Sequence, residues 1–312
     1  MGLKHFILAF FAAGGCFAQT DSLQDAYYEE FEGKLSVQAF SMSTINNFSL
    51  FYAAENMRVD VVPNSRTTIG GTAQYEFVSL SLGFTPIFLT DNKDNKDSKM
   101  NSLSLSLFPG RIMQRFDYIY QKGMSLETGD ANIYLPELKS LKIGGSTSYM
   151  FNPNFSFKAT AFQNAKQLKS AGTFAPTLSY YYTELNGKKV PDMGEKVYFI
   201  DVALAPAYYY NWVIDKNFLL SGGASLGAGF TTTVDDNTST SFLVNGSLHL
   251  APGYNGERWF GGLNMRVQFF DHGSGSNVQM NDALGYGTFF IGYRFDAPPY
   301  FERAKKRLED KF

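Results

Sequence analysis

The chain has 312 residues and a formal charge of −2, from 27 Lys+Arg against 29 Asp+Glu, with 16% aromatic and 18% charged residues. That balance gives no basis for nucleic acid as a partner. Beyond the N-terminus, no apolar run reaches the roughly 18 residues of a membrane-crossing helix. A mean hydropathy of −0.18 leaves a membrane barrel open, because lumen and lipid residues alternate and cancel in the average.

Residues 1–18 read as a secretory signal peptide, with Lys4, an apolar core from Phe6 to Ala13, and small residues at Cys16 and Ala18. Cleavage is expected after Ala18. The alternative is cleavage before Cys16 with lipidation, against which Ala13 stands where a branched apolar residue is usual. Cys16 is the only cysteine, so the mature chain expected from Ala18 cleavage has no disulfide and must rest on ladders and burial. Residues 19–34 form an acidic, polar leader.

From 35 to 295 the chain alternates with the two-residue period of strands. The predicted strands are Thr67–Phe77, Val78–Phe88, Asn101–Phe108, Arg111–Gln121, Lys142–Phe151, Asn154–Gln163, Gly172–Thr183, Lys196–Tyr210, Asn217–Thr231, Thr238–Leu250, the stretch Glu257–Gly273 and Leu284–Phe295. Lys142–Phe151 and Asn154–Gln163 are expected to form a hairpin across Asn152-Pro153-Asn154. Two earlier segments, Lys34–Met42 and Asn47–Ala53, would add another hairpin and raise the count from 12 to 14. Most strands run to about ten residues, the length of a tilted membrane crossing, where ordinary strands average nearer five or six. Aromatics gather at strand ends, at Tyr180–Tyr182, Tyr208–Tyr210 with Trp212, Trp259 with Phe260, and Phe269 with Phe270, as interface girdles do. The expected fold is therefore all-β, a transmembrane antiparallel up-and-down β-barrel of the Gram-negative outer membrane. A secreted β-sandwich binding module is the alternative.

Sidedness is inconsistent along the chain. Counting back from a periplasmic C-terminus, Asp271–Ala283, Thr232–Asn237 and Glu184–Glu195 become outside loops, and Pro252–Gly256 and Asn211–Lys216 become short inside turns. Further back, the tight turns at Pro109-Gly110 and Asn152–Asn154 fall outside, while the long segments Asp91–Met100 and Lys122–Leu141 fall inside. After Pro298-Pro299, apolar residues recur at helical spacing through 296–312, which predicts a short periplasmic amphipathic helix.

Two stretches carry a resemblance. VVPNSRTTIGGTAQYEFVSLSLGF (61–84) and LKIGGSTSYMFNPNFSFKATAFQNAKQLKSAGTF (141–174) resemble an uncharacterised outer-membrane β-barrel family of Bacteroidota, known only as a domain of unknown function. The shared features are Pro63-Asn64, Tyr149 and Asn152, Gln167 with Lys169-Ser170-Ala171-Gly172, and the Tyr120–Gly123 run. The resemblance implies location and fold over about 35–295. It supplies no catalytic residue.

Alternation sorts the side chains. Trp259, Leu263, Met265, Val267 and Phe269 are expected to face lipid. Gln74, Glu76, Arg115, Asp117, Lys158, Asp201, Asn245, His249, Arg258, Arg266, Gln268 and Arg294 are expected to line the lumen. Charges of both signs there should pair, and Arg266 has Asp117, Asp201 and Glu76 as candidate partners. They would either plug a narrow barrel or line a pore that mildly favours anions.

His249 with Ser247 and Asn245 on one strand face is the nearest approach to a hydrolase set. Residues two apart lie about 7 Å from each other, too far for a nucleophile and its base. A polar lumen residue is the simpler reading, and a barrel-wall lipid hydrolase the alternative. Asp91–Asp97 (DNKDNKD) lacks the glycine and glutamate of a calcium loop, and Asp235-Asp236-Asn237 reads as solvated loop. No cofactor or metal is expected. The expected partners are outer-membrane lipid and, through the tail, other envelope proteins. The functional expectation is a non-enzymatic narrow channel or a structural or assembly component.

Overall fold

A computed structural model of the chain describes residues 26–52, 57–63, 66–86, 98–128, 131–162, 164–190, 196–234, 238–272 and 278–303. The expected signal peptide with Cys16 and Ala18, most of the leader, Asp91–Asp97, Asp235–Asn237 and residues 304–312 lie outside the described residues.

The elements run β1 Tyr28–Glu30, β2 Lys34–Tyr52, β3 Met57–Pro63, β4 Arg66–Tyr75, β5 Val78–Phe84, β6 Lys99–Leu107, β7 Ile112–Thr128 and β8 Ala131–Tyr149. Then come α1 Phe157–Thr160, β9 Ala165–Gln167, β10 Ala171–Phe174, β11 Thr177–Asn186, β12 Lys196–Ala205 and β13 Ala207–Asp215. The last four are β14 Phe218–Val234, β15 Thr238–Asn255, β16 Trp259–His272 and β17 Val278–Asp296.

Antiparallel ladders join these strands into a ring of 12. The ring closes where β17 pairs β2 along its whole length, from Val278↔Tyr52 to Asp296↔Lys34. Closure removes the free edges that an open sheet would leave. Two wall strands are each interrupted once. Ala175-Pro176 separates β10 from β11, and Pro206 separates β12 from β13. Proline has no N–H for the ladder, but both carbonyls still accept, from Tyr149 N at 3.2 Å and from Leu226 N at 3.3 Å. At the seam, Lys34 is ion-paired to Asp296. That hydrogen bond holds the Asp296 carboxyl below its ordinary range.

The count of 12 agrees with the sequence, but one member differs. Residues 154–163 are not a wall strand. Ser156 caps the single helical turn α1, its Oγ accepting from Ala159 N at 3.2 Å. In their place Lys34–Tyr52 forms one continuous strand rather than a hairpin. Removing one strand from the middle of the count reverses the sidedness of everything before it. Residues 76–77, 108–111, 150–170, 216–217 and 256–258 now share one end, called here the turn end, with the start of β2 and the end of β17. The far ends of β2, β5, β7, β11, β14 and β16 share the other, the loop end. Lys122–Leu141 is not a loop. It is the top of the β7–β8 hairpin. Gly123, at φ 80°, makes the bulge that shifts the register between Lys122 and Met124.

The walls differ in height. β4, β5 and β6 have 10, 7 and 9 residues, against 17 to 19 for β2, β7 and β8. Above the low section, β3 bridges β2 and β7. On the outer face a belt of aliphatic side chains stands exposed, among them Leu204 (58%), Leu226 (62%), Leu248 (61%) and Ile291 (52%). Trp259, Leu263, Met265, Val267 and Phe269 belong to the same exposed face. Toward the turn end the belt becomes aromatic, with Phe151, Phe174, Tyr208, Tyr210, Trp212, Phe218 and Tyr254. Trp259 packs edge-on against Tyr293, ring centres 4.9 Å apart. After β17, residues 299–303 are helical, following the proline pair, and Phe301 packs on Tyr75 at 4.9 Å.

Candidate functional site

The chemistry of this barrel lies inside it, in layers from the turn end upward. The lowest layer is made of the chain itself. Residues 26–33 and the insertion between β8 and β10 fold into the ring, and β1 pairs β9 antiparallel there. Three phenylalanines seat the plug. Phe155 and Phe157 pack with Phe108, Met150, Ala171 and Ala175, and Phe162 packs with Leu219, Ala251, Phe260 and Phe290. Each buried ring contributes about 1.5–3 kcal/mol.

Polar groups of the wall then tie the plug down. Asn211 of β13 donates to Ser156 O and Gln167 Oε1, both at 3.1 Å, and accepts from Thr160 Oγ1 at 3.1 Å. Asn255 of β15 donates to Ala165 O at 3.0 Å. Ser36 of β2 donates to Asn164, whose amide donates to Gln74 O of β4 at 3.4 Å. Gln167 spends its amide N–H groups on Tyr27 O, Asn154 O and Lys169 O at 2.8–3.0 Å. Arg294, 2% exposed, donates to Phe162 O at 3.0 Å and Asn255 Oδ1 at 2.6 Å. Its guanidinium lies between the rings of Phe31 and Phe260, 4.1 and 4.6 Å from their centres. A buried arginine is tolerable only when satisfied in this way.

Above the plug lies a cavity of about 260 Å³, its floor made by Phe157, Thr160 and Ala161. One wall carries serines from β5, β6 and β8. The opposite wall carries His249 of β15 with Asn264 and Arg266 of β16. Arg115 clasps Asp117 through Nε, at 2.9 Å to both carboxylate oxygens, and Ser104 donates to Asp117 at 2.6 Å.

Above the cavity one ion pair crosses the lumen, with a His–Asp contact beside it. Lys142 of β8 meets Asp282 of β17 at 2.7 Å, with side chains 3% and 1% exposed. These strands stand six places apart in the ring of 12, so the bridge spans its diameter. Lys142 Nζ also sits 4.3 Å from the Phe270 ring centre and 5.2 Å from that of Tyr181. Beside them His272 Nε2 lies 3.2 Å from Asp201, which accepts from Thr231 at 2.6 Å. The top layer is apolar, with Phe48, Val61, Met124, Leu138, Val190 and Phe199 packed together.

These placements sort the predicted residues. Gln74, Arg115, Asp117, Asp201, Asn245, His249, Arg266, Gln268 and Arg294 are inside the ring, at different levels. Three predicted lumen residues stand elsewhere. Glu76 is in the β4–β5 turn at φ 51°. Lys158 is on α1, paired with Glu30 at 2.5 Å. Arg258 is exposed in the β15–β16 turn, 3.4 Å from the Tyr293 hydroxyl. Asp117 goes to Arg115 and Asp201 to His272, so neither pairs Arg266. Ser247 bonds Ser225 at 2.7 Å, and His249 Nδ1 has no partner among the described residues. Sequence reasoning missed Asn211, Asn255, Lys142, Asp282 and His272. Asn211 had a signal, a lone amide at an inward position within an aromatic run. Lys142 and Asp282 had none, since each looks like an ordinary strand-end charge. Among the described residues, no group of three or more His, Cys, Asp or Glu could hold a metal.

The family described as a domain of unknown function, DUF4421, matches residues 19–295. Among curated proteins none matches the sequence. Among solved structures, the chain is similar to the outer membrane protease OmpT from Escherichia coli, with 9% identity over 89% of this chain and 100% of that one, and a TM-score of 0.33. It is similar to the translocator domain of autotransporter NalP from Neisseria meningitidis, with 12% identity, 94% and 95% coverage and a TM-score of 0.41. For the outer membrane protein OprG from Pseudomonas aeruginosa the values are 11%, 88%, 100% and 0.28.

Proposed function

We propose that this chain, which belongs to the DUF4421 family, is a Gram-negative outer-membrane barrel closed by its own chain, a structural or assembly component rather than an open channel or an enzyme. The exposed aliphatic belt supports a lipid partner, because soluble monomers rarely leave apolar patches of more than a few hundred Å² uncovered. The aromatic band marks one interface. Short turns, the start of β2, the end of β17 and the plug then face the periplasm, and residues 300–303 are offered there to other envelope proteins.

The observation that carries the closed reading is the plug. Its backbone and side chains are bonded to β2, β4, β13, β15 and β17 by groups that are otherwise buried. Losing such a partner costs about 1–3 kcal/mol per orphaned group, so the plug is held rather than lodged. Above it stand the cross-lumen Lys142–Asp282 ion pair, the His272–Asp201 contact and an apolar stopper. The hydrolase alternative has no assembled nucleophile and base, with Ser247 engaged by Ser225 and His249 apart from it.

Mild detergent and unheated electrophoresis test the membrane barrel. The protein should leave the envelope only with detergent, and it should migrate faster unheated than boiled. Release by salt alone, or identical mobilities, would contradict the assignment.

A further inference from the structure

The cavity above the plug holds one charge that the protein leaves unanswered. Apart from tyrosines, its ionisable lining residues are Arg115, Asp117, His249 and Arg266. Arg115 and Asp117 cancel each other. Arg266 has no ion pair and no hydrogen bond among the described residues. Its electrostatic neighbours are the hydroxyls of Tyr286, Tyr209 and Tyr181 and the like charge of Arg115. His249 faces it across the β15–β16 ladder. His249 and Asn264 interact with each other, and His249 Nδ1 and Asn264 Oδ1 make no hydrogen bond of normal geometry, so both keep polar capacity on the wall that carries the guanidinium. An unpaired charge in a closed interior is costly, and here no carboxylate among the described residues pairs it.

We propose that this cavity is a binding site for a small hydroxylated monocarboxylate, held through its carboxylate by Arg266. The guanidinium fork matches a planar carboxylate with two parallel hydrogen bonds. The charge sets the valence. One unmatched positive charge beside Asp117 is neutralised by a monoanion, whereas a dianion would leave an excess negative charge next to a carboxylate. The facing wall sets the rest of the ligand. Ser79, Ser81, Ser102, Ser104, Ser106 and Ser148 line the cavity opposite Arg266. Hydroxyls both donate and accept, so this wall suits ligand hydroxyls. A volume of about 260 Å³ falls just below the usual range of ligand pockets, roughly 300–1,000 Å³, and limits the ligand to a small one. The proposal rests on the closed-lumen reading, since salt in an open pore would itself answer Arg266.

Unfolded full-length protein is refolded into detergent micelles with sodium gluconate, sodium acetate, sodium phosphate or sodium chloride at equal sodium concentration. The midpoint of unfolding in urea is then measured. Gluconate should raise the midpoint saturably, because a ligand that binds only the folded state stabilises it by mass action. Acetate should raise it less, and phosphate and chloride least. Arg266→Met should abolish the gluconate effect while being at least as stable as the wild type without ligand, because it removes an unpaired charge. Arg58→Met, at an exposed site away from the cavity, should keep the full effect. Should Arg266→Met not refold, Arg266→Lys should keep the charge yet weaken apparent gluconate affinity about tenfold, the point charge lacking the fork. A gluconate shift no larger than that of chloride, or one that survives in Arg266→Met, would overturn the site. A larger shift with phosphate would overturn the ligand class. Channel currents from the wild type would instead sink the closed-lumen reading, whatever the titration shows.

Discussion

Lys142→Met should destabilise the folded barrel by about 3–5 kcal/mol, the range for breaking one side of a buried ion pair. The substitution keeps length and apolar contact with Phe270 and Tyr181, so the loss isolates the charge. What it leaves behind is Asp282, 1% exposed at its side chain, with no other cation paired to it among the described residues. The double variant Lys142→Met with Asp282→Leu should return to within about 1 kcal/mol of the wild type or exceed it, because two apolar groups of similar volume need no compensation. Urea unfolding of refolded protein measures both. A single-variant loss below about 1 kcal/mol is the value of a solvated pair and would mean that water reaches the lumen at this level.

Leu226→Arg should cost about 2–4 kcal/mol in a bilayer, the penalty for arginine on the lipid face at the midplane. Leu226 lies at the middle of β14 and is 62% exposed. In water such an exposed change is worth no more than about 0.5 kcal/mol either way. The same substitution therefore separates a lipid-facing wall from a water-facing one. A near-zero effect in vesicles would remove the membrane from the account. As a control near the loop end, Arg58→Leu breaks only an exposed pair with Asp60 and should cost no more than about 1 kcal/mol in either setting.

The sequence was most legible where lipid and lumen impose opposite polarities. In β16, Leu263, Met265 and Val267 alternate with Asn264, Arg266 and Gln268, and the structure has them on opposite faces. It misled where that contrast lapses. Phe155, Phe157, Ala159 and Ala161 alternate with polar residues as a wall strand would, yet they belong to the plug. Phe155, Phe157, Ser156 and Thr160 are all buried there, because the plug is surrounded by wall on every side. Alternation in a segment with two buried faces carries no strand signal. The β7–β8 hairpin top was missed for the converse reason. Its inward residues Met124 and Leu138 are apolar, which inverts the pattern below it, and the Gly123 bulge shifts the phase between the two halves.

The candidate site divides in the same way. Inward direction was readable from parity for Arg115, Asp117, His249 and Arg266. Partner choice was not, since Asp117 could reach Arg115 or Arg266 by sequence, and only ring geometry assigns it to Arg115. The cross-lumen pair Lys142–Asp282 joins residues 140 apart in the chain, a distance that no local pattern encodes. The resemblance features fared differently. Asn152, Gln167 and Ser170, singled out by their likeness to a family, all make hydrogen bonds within the plug or between plug and wall. They therefore mark how the barrel is closed.

Planar-bilayer recording of the purified, refolded wild-type protein tests that closure directly. With the plug bonded to the wall below, an ion pair across the middle and an apolar cluster at the loop end, insertion should give no stable conductance steps. Reproducible ohmic steps from the unmodified chain, at physiological salt and modest voltage, would contradict the closed lumen and return the protein to the channels.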